Sequence, residues 1–324
     1  MNWEIPKVYA VLHKNDDVRA SSMSGGAFTA ISDWVLQNNG IVYGCILNDK
    51  FEAVHIRADN YESRNLMRGS KYVQSRLGDT FINVRKDLES GQMVLFSGTS
   101  CQAAGLKRYI GKEYENLLCV DIVCHGVPSP GVWKEYLNWQ KKRNRSEIKA
   151  AVFRNKREYG WHSCVETILF ENGKKESSRI FTELFYGHNI LRPCCYECPY
   201  KSTMHPGDIT IADYWGIEKT APELDDNKGT SLVLINNEKG EKVFDAVKSS
   251  VKRKQTELED CIQPSMKAPF PKPESRDEFW ADFCRSGFDF IARKYCGYGI
   301  MIKIKKKLWG IKKSLKEIIR KTVK

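Results

Sequence analysis

Short apolar runs and helix-period stripes alternate along the first part of the chain, and their order predicts strands and helices in turn. Lys7 to Leu12 (KVYAVL) predicts a strand, followed by a polar turn from His13 to Asp17. Ser24 has the character of an N-cap, and Phe28, Ile31, Trp34 and Val35 then recur at helical spacing until Asn39-Gly40 ends the helix. Ile41 to Leu47 and Phe51 to Arg57 predict a hairpin about Asn48-Asp49, and a helix is expected from about Asp79 to Ser90. Two βα units come next. Met93 to Phe96 is a buried-type strand running into Ser97-Gly98-Thr99-Ser100-Cys101 and a helix from Gln102 to Tyr109. Leu117 to Val123 is a second, running into Cys124-His125-Gly126, with Ser129-Pro130 opening a helix from Val132 to Gln140. Strand, helix, strand at this length requires a parallel crossover, which places Cys101 and Cys124 just past the carboxyl ends of neighbouring strands. Open α/β sheets hold their ligands at that edge.

The second half reads differently. Val152 to Arg154 and Val165 to Phe170 predict strands around Tyr159-Gly160-Trp161-His162, and Glu183 to Asn189 a short helix. Strands are expected at Ile209 to Asp213 and Ser231 to Ile235, helices at Lys239 to Ser249 and Arg276 to Cys284, and a proline-rich connector at Pro264 to Pro273. The fold class is therefore α/β: a parallel or mixed sheet in the N-terminal half, a β-rich second half and a C-terminal amphipathic helix. The expected division is an α/β domain over 1–145, a second domain over 146–290 and a basic tail over 291–324.

Composition places the chain among ordinary globular proteins, with 28% charged and 41% hydrophobic residues in 324. Glu4, Pro6 and Lys7 interrupt any signal-peptide pattern, and no apolar run approaches the roughly 20 residues of a membrane span, so a cytoplasmic location is expected. There, eleven cysteines suggest thiols and metal ligands rather than a disulfide framework. The net charge of +12 is concentrated: residues 300–324 carry ten Lys and Arg against one Glu, leaving +3 for the rest. Within Ile304 to Val323, Ile304, Leu308, Ile311, Leu315, Ile318 and Ile319 recur at spacings of three and four among lysines. Such a stripe suits either an anionic membrane surface or a docked helix with a solvated basic face. A near-neutral body gives no indication of nucleic acid.

Three cysteines fall within five positions at Cys194, Cys195 and Cys198, and Cys195-x-x-Cys198 lets two thiolates reach one metal centre. A C-x-x-C alone is half a site and equally describes buried thiols or a redox dithiol. Cys101 and Cys124 also lie in loops that could supply ligands, whereas Cys45, Cys119 and Cys164 fall within strands; Cys194 is a spare. A zinc site lacks its second paired half. The Ser/Gly-rich loop at Ser24, Gly25 and Gly26 suits a phosphate or is a plain helix start, and Arg68-Gly69-Ser70-Lys71-Tyr72 could hold a phosphate or a flavin edge or be a solvated loop.

Six segments in order, Ser22-x-Ser24-Gly25-Gly26, Arg68 to Val73, Phe96-Ser97-Gly98-Thr99-x-Cys101-Gln102, Asp121-x-Val123-Cys124-His125-Gly126-Val127-Pro128, Leu191-Arg192-Pro193-x-Cys195-x-x-Cys198 and Asp208-Ile209-Thr210-Ile211-x-Asp213-x-Trp215-Gly216, together resemble the coenzyme F420 hydrogenase/dehydrogenase beta-subunit family. The resemblance runs from about Lys7 to Cys284. It implies an oxidoreductase passing electrons between a 4Fe-4S cluster, FAD and a diffusible carrier or an organic substrate, with the flavin converting single electrons to a hydride. It further implies Cys101, Cys124, Cys195 and Cys198 as cluster ligands, Ser24, Gly25, Gly26, Lys71, Tyr72, Ser97, Gly98 and Thr99 as flavin contacts, and His125 as a catalytic or flavin-contacting group. Ser100 stands where the family usually has proline, and Ala212-Asp213-Tyr214 where it often has Gly-Asp-Phe. Many relatives begin with a ferredoxin-like segment, whereas here no cysteine precedes Cys45. A separate ferredoxin-like electron donor is therefore implied, and the association of bacterial relatives with surface-polysaccharide genes points to that pathway. The competing expectation is a non-catalytic accessory protein, peripheral to the membrane, in which a cluster or zinc ion only staples the fold.

Overall fold

The computed structural model describes residues 2–299, so the expected helix between Ile304 and Val323 lies outside the described residues. Eight strands form one mixed sheet: β1 (Lys7–His13), β2 (Ile41–Leu47), β3 (Ala53–Ala58), β4 (Val94–Thr99), β5 (Leu117–Ile122), β9 (Ile209–Asp213), β10 (Ser231–Ile235) and β11 (Val251–Thr256), in the order β11-β1-β10-β9-β5-β4-β2-β3. The centre, β2-β4-β5-β9, is parallel, and antiparallel strands close it on both sides. Burial explains the placement. Val94, Leu95 and Phe96 have no exposure, as a central parallel strand covered on both faces requires, while β11 (VKRKQT) at an edge exposes Lys252, Lys254 and Gln255. The sheet draws strands from both sides of position 145.

Helices α1 (Asp16–Ser21), α2 (Ala27–Gln37), α3 (Tyr61–Asn65), α4 (Thr80–Glu89), α5 (Ser100–Ile110) and α6 (Pro130–Asn144) precede residue 145. The crossover helix α5 is fixed at both ends, by a Thr99/Gln102 capping box and by Gly111 in the left-handed region. The polar stretch expected as a turn forms α1, capped by Asn15, whose side chain accepts from the Asp17 and Val18 amides. Ser24 does not cap α2. That helix starts at Ala27 with Gly26 as its cap at φ 93°, and Ser24 Oγ donates instead to Thr230 O at 2.6 Å.

Strands β6 (Ile148–Val152), β7 (Glu166–Phe170) and β8 (Lys175–Ser178) form a separate antiparallel sheet. Together with α6 and α8 (Ile180–Tyr186) it encloses an aromatic core of Trp133, Tyr136, Phe153, Phe181, Phe185, Phe279 and Phe288. Short α7 (Lys156–Tyr159) and α9 (Ile217–Thr220) and the longer α10 (Glu238–Ala246) complete the connections. The helix expected to end at Cys284 continues as α11 (Arg276–Cys296) but breaks at Gly287, φ 71° and ψ 178°. Its arms fold back on each other: Lys294 Nζ donates to Asp282 at 2.7 Å, and the Phe279 and Tyr295 rings lie 5.0 Å apart. No helix among the described residues is long and apolar enough to cross a membrane.

Candidate functional site

Parallel pairing sets β4 and β5 flush, with Thr99 opposite Ile122, so both strands end at one edge of the sheet. Cys101 follows in the first turn of α5, its Sγ 3.1 Å from Thr99 Oγ1, and Cys124 sits two residues past β5. The third segment is held against the second by backbone. Pro128 and Leu191 form an antiparallel bridge, Arg192 N donates to Val127 O and Ser129 N to Ile190 O, both at 2.9 Å. Gly126 permits this approach: at φ 129° it leaves no room for a Cβ, which would meet Leu191 Cδ1 at 2.8 Å. Pro193–Glu197 then forms a 3-10 helix. Cys194 and Cys195 lie within it, and Cys198 follows as its extended C-cap at φ −69° and ψ 117°.

The four thiols act on one another electrostatically. Burial pushes the Cys124 thiol up to about 12, and the neighbouring Cys195 and Cys101 raise it further. Burial likewise raises Cys195 and Cys198, and the neighbouring Cys194 and Cys101 both add to each. Among them lies Lys201, whose ammonium is pushed down by burial and drawn back up by Cys124, Cys198 and Cys195. It donates to His125 O at 2.8 Å and lies 4.2 Å over the Phe270 ring. Cys101, Cys124, Cys195 and Cys198 are all outside any disulfide. No group of three or more His, Cys, Asp or Glu among the described residues is arranged to hold a single metal ion.

His125 faces His188, Nε2 to Nε2 at 2.9 Å, and packs against Phe270 at 4.3 Å and Phe185 at 4.9 Å. Burial, then the neighbouring His188 and Lys201, hold it down at about 3, so it is neutral at physiological pH. Phe185 also stacks on Tyr72 at 4.7 Å, joining the 68–72 loop to the cysteine site through rings.

The other residues expected at a flavin are brought to the same end of the sheet. Arg68 donates to Ser21 Oγ at 2.9 Å and Thr29 Oγ1 at 3.1 Å, which sets the 68–72 loop beside the Ser24–Gly26 loop. Several of their polar groups are already engaged. Lys71 Nζ donates to the carbonyls of Leu66, Met67 and Arg68, and burial pushes it down to about 8. Gly25 packs so closely that a Cβ would stand 2.1 Å from Val11 O, and its amide donates to Ser231 Oγ at 2.9 Å. Ser97 O lies 3.2 Å from His55 Nε2, and Gly98 leaves only 2.8 Å between a would-be Cβ and Gln102 Oε1. A cavity of about 340 Å³ opens instead beside β3 and the start of α4, lined by Tyr43, His55, Arg57 and Arg76 among others, and none of the expected flavin contacts lines it.

Two buried networks escaped sequence reasoning. Arg154 joins Asp213 Oδ2 at 2.5 Å and Trp161 O at 2.7 Å beneath the Trp215 ring, and the Trp161 indole donates to Asp213 Oδ1 at 2.9 Å. Asp213 and Trp215 belong to the sixth sequence segment, but nothing local marks Arg154 as their partner. Ser100, Asp121 and His205 form the second network, beside the Cys101 turn.

The family model for the C terminus of the coenzyme F420 hydrogenase/dehydrogenase beta subunit matches residues 91–261, just over half of the chain and the whole of the four-cysteine site. No curated protein matches the sequence. Among solved structures, a chain of the F420-reducing [NiFe] hydrogenase complex from Methanosarcina barkeri superposes with a TM-score of 0.54 at 16% identity, covering 80% of this chain and 84% of that one.

Proposed function

Because the chain belongs to the coenzyme F420 hydrogenase/dehydrogenase beta-subunit family, we propose that this oxidoreductase works through a 4Fe-4S cluster held by Cys101, Cys124, Cys195 and Cys198, with FAD beside it. The observation that carries the proposal is the convergence of four free thiols, from three separated segments, into one electrostatic neighbourhood with a buried lysine. The donor set fits. Four-iron clusters take four thiolates, and each thiolate needs to reach only its own iron rather than converge on a single ion. The bound cluster would supply one-electron transfer and the flavin the conversion to hydride chemistry. Lys201 offsets part of the negative charge that buried thiolates bring. Neutral His125, fixed by His188 and Phe270, packs on Phe185, which in turn stacks on Tyr72. Ser24, Gly25, Gly26, Lys71, Tyr72, Ser97, Gly98 and Thr99 line the flavin side in this reading.

Electrons would arrive from a separate ferredoxin-like protein, a reading supported by the multi-subunit hydrogenase complex to which the superposed chain belongs. The organic substrate is sought first among surface-polysaccharide intermediates. The basic tail would supply peripheral contact with an anionic membrane. A second reading, a cluster that only staples the fold, is favoured by one observation: Lys71 and Gly25 already spend their hydrogen bonds within the protein.

An anaerobic visible spectrum, with iron, sulfide and flavin assayed on the same sample, separates the readings. A broad band that bleaches with dithionite, with four irons and one flavin per chain, is expected. Four irons with no flavin would favour the staple, and a protein that holds no iron after reconstitution would refute both.

A further inference from the structure

The first 299 residues carry a net charge of only +3, yet cations gather at one end of α6. That helix finishes in Lys141, Lys142 and Arg143, with Arg145 as its left-handed cap at φ 50°. The β7–β8 turn is bonded to the same end. Asn172 Nδ2 donates to Asn144 O at 3.3 Å and Asn172 N to Ser146 Oγ at 3.1 Å, which holds the turn that carries Lys174 against the helix. Lys142, Arg143, Arg145 and Lys174 are exposed and make no ion pair among the described residues, whereas Lys141 pairs with Glu147 at 3.1 Å. Glu171 is a further carboxylate alongside, its amide donating to Glu147 O at 2.9 Å. A cavity of about 440 Å³ opens here to solvent, lined by Lys141, Lys142, Arg145, Ser146 and Glu147.

Cations in a last turn complement the helix dipole wherever they stand. What sets this end apart is the route of the chain. Arg143 Cζ lies 4.4 Å over the Trp139 ring and 4.7 Å over the Tyr298 ring, and those two rings meet edge-on at 5.2 Å. Trp139 Nε1 also donates to Asp289 Oδ1 at 3.1 Å, on the returning arm of α11. That arm is capped by Gly297 at φ 61°, with Tyr298 N donating to Ala292 O at 3.0 Å. The chain therefore leaves α11 pinned to the basic end of α6. Lys303, Lys305, Lys306 and Lys307 follow within nine positions of Tyr298. Five residues span at most about 18 Å, so chain length alone keeps Lys303 within that distance of Tyr298.

We propose that the end of α6 and the segment after Tyr298 form one contact face for an anionic bilayer, with Lys142, Arg145 and Lys174 meeting lipid phosphates. The inference rests on the tail reading above and extends it to the body of the protein. Charge and apolar pattern select this occupant. Ten Lys and Arg against one Glu in residues 300–324 adjoin four cations that make no ion pair. Ile304, Leu308 and Ile311, set among those lysines, suit the acyl boundary of a bilayer, which an acidic protein surface would not offer.

The test sediments full-length protein with vesicles of phosphatidylcholine alone and of phosphatidylcholine and phosphatidylserine in equal parts. Lys142→Gln/Arg145→Gln removes two proposed contacts from exposed positions. Lys248→Gln/Lys252→Gln removes the same charge from exposed positions in and just before the edge strand β11. Each cation at an anionic surface contributes roughly fivefold, so the first double variant is expected to bind the anionic vesicles at least tenfold more weakly than wild type, and the second within about twofold. Equal weakening in the two double variants, or none in either, overturns the inference and leaves the tail reading intact. A wild type that pellets equally with both kinds of vesicle overturns it as well, because the contact is then not one of charge. A wild type that stays in solution with both refutes the tail reading and this inference together, and turns the search to an acidic protein partner.

Discussion

Gly126 is where the two cysteine loops touch, and replacing it by alanine perturbs the site without removing a proposed ligand. Two costs follow from the geometry. At φ 129° an L-residue is strained by about 1–2 kcal/mol, and the new Cβ would stand 2.8 and 3.1 Å from the two methyls of Leu191, a side chain 1% exposed and held by the Pro128 bridge. Overpacking of that kind costs about 1–3 kcal/mol, giving a total of roughly 2–5 kcal/mol. Gly173→Ala is the control, because Gly173 has φ 80° but nothing within 4 Å, so it bears the backbone strain alone. Urea unfolding of the apo-protein measures both. Leu191→Ala by itself should cost about 2–5 kcal/mol, yet in combination it relieves the clash, so the double variant should fall short of additivity by about 1–2 kcal/mol. Iron retention after reconstitution should drop in Gly126→Ala and recover in part in the double variant. The reasoning fails if Gly126→Ala destabilises no more than Gly173→Ala, or if the two site changes add within about 0.5 kcal/mol.

Asp213→Ala strands the Arg154 guanidinium, which is 2% exposed, and should destabilise by about 3–5 kcal/mol in urea unfolding, with Asp213→Asn less severe because it can still accept one bond. His55 is held at about 4 in the fold by burial, below its unfolded value of 6.5, so the unfolded chain binds the extra proton. Its contribution is complete above pH 6.5 and is lost as the pH falls toward 4. The apo-protein should therefore lose up to about 1.4 kcal/mol per pH unit there relative to His55→Gln, and identical pH slopes would contradict this. Removing residues after 302 should abolish co-sedimentation with anionic vesicles while leaving iron and flavin content unchanged; continued pelleting would rule out a membrane role for the tail.

How much was legible from the sequence depended on how local each signal was. Strands β4 and β5 were readable because unbroken apolar runs, Val94 to Phe96 and Leu117 to Val120, are followed by capping residues, and the crossover rule then placed Cys101 and Cys124 at one edge. The C-x-x-C pair announced itself by spacing, although the 3-10 turn that carries Cys195 did not. Strand β11 was missed because its lysines and arginine leave no apolar run or alternation to mark it, the usual dress of an edge strand. The start of α2 was misplaced by two residues because Gly25 and Gly26 are dictated by Val11 and His13 of β1, packed against them, and not by their neighbours in sequence. The fold-back of α11 is set by Asp282 reaching Lys294 and Tyr295 around a glycine that helical periodicity treats as neutral. His205 had no signal at all: its partners lie 105 and 84 positions away, and a lone histidine between Met204 and Pro206 matches no motif.

The central claim is that Cys101, Cys124, Cys195 and Cys198 form one site, and the most direct measurement is iron and sulfide per chain in anaerobically reconstituted single Cys→Ser variants. Four irons are predicted for the wild type and for Cys194→Ser and Cys45→Ser, with each of the four ligand variants falling to three irons or fewer and losing the wild-type EPR signal of the reduced protein. Full iron and an unchanged signal in any one of the four, or their loss in Cys194→Ser, would contradict the assignment.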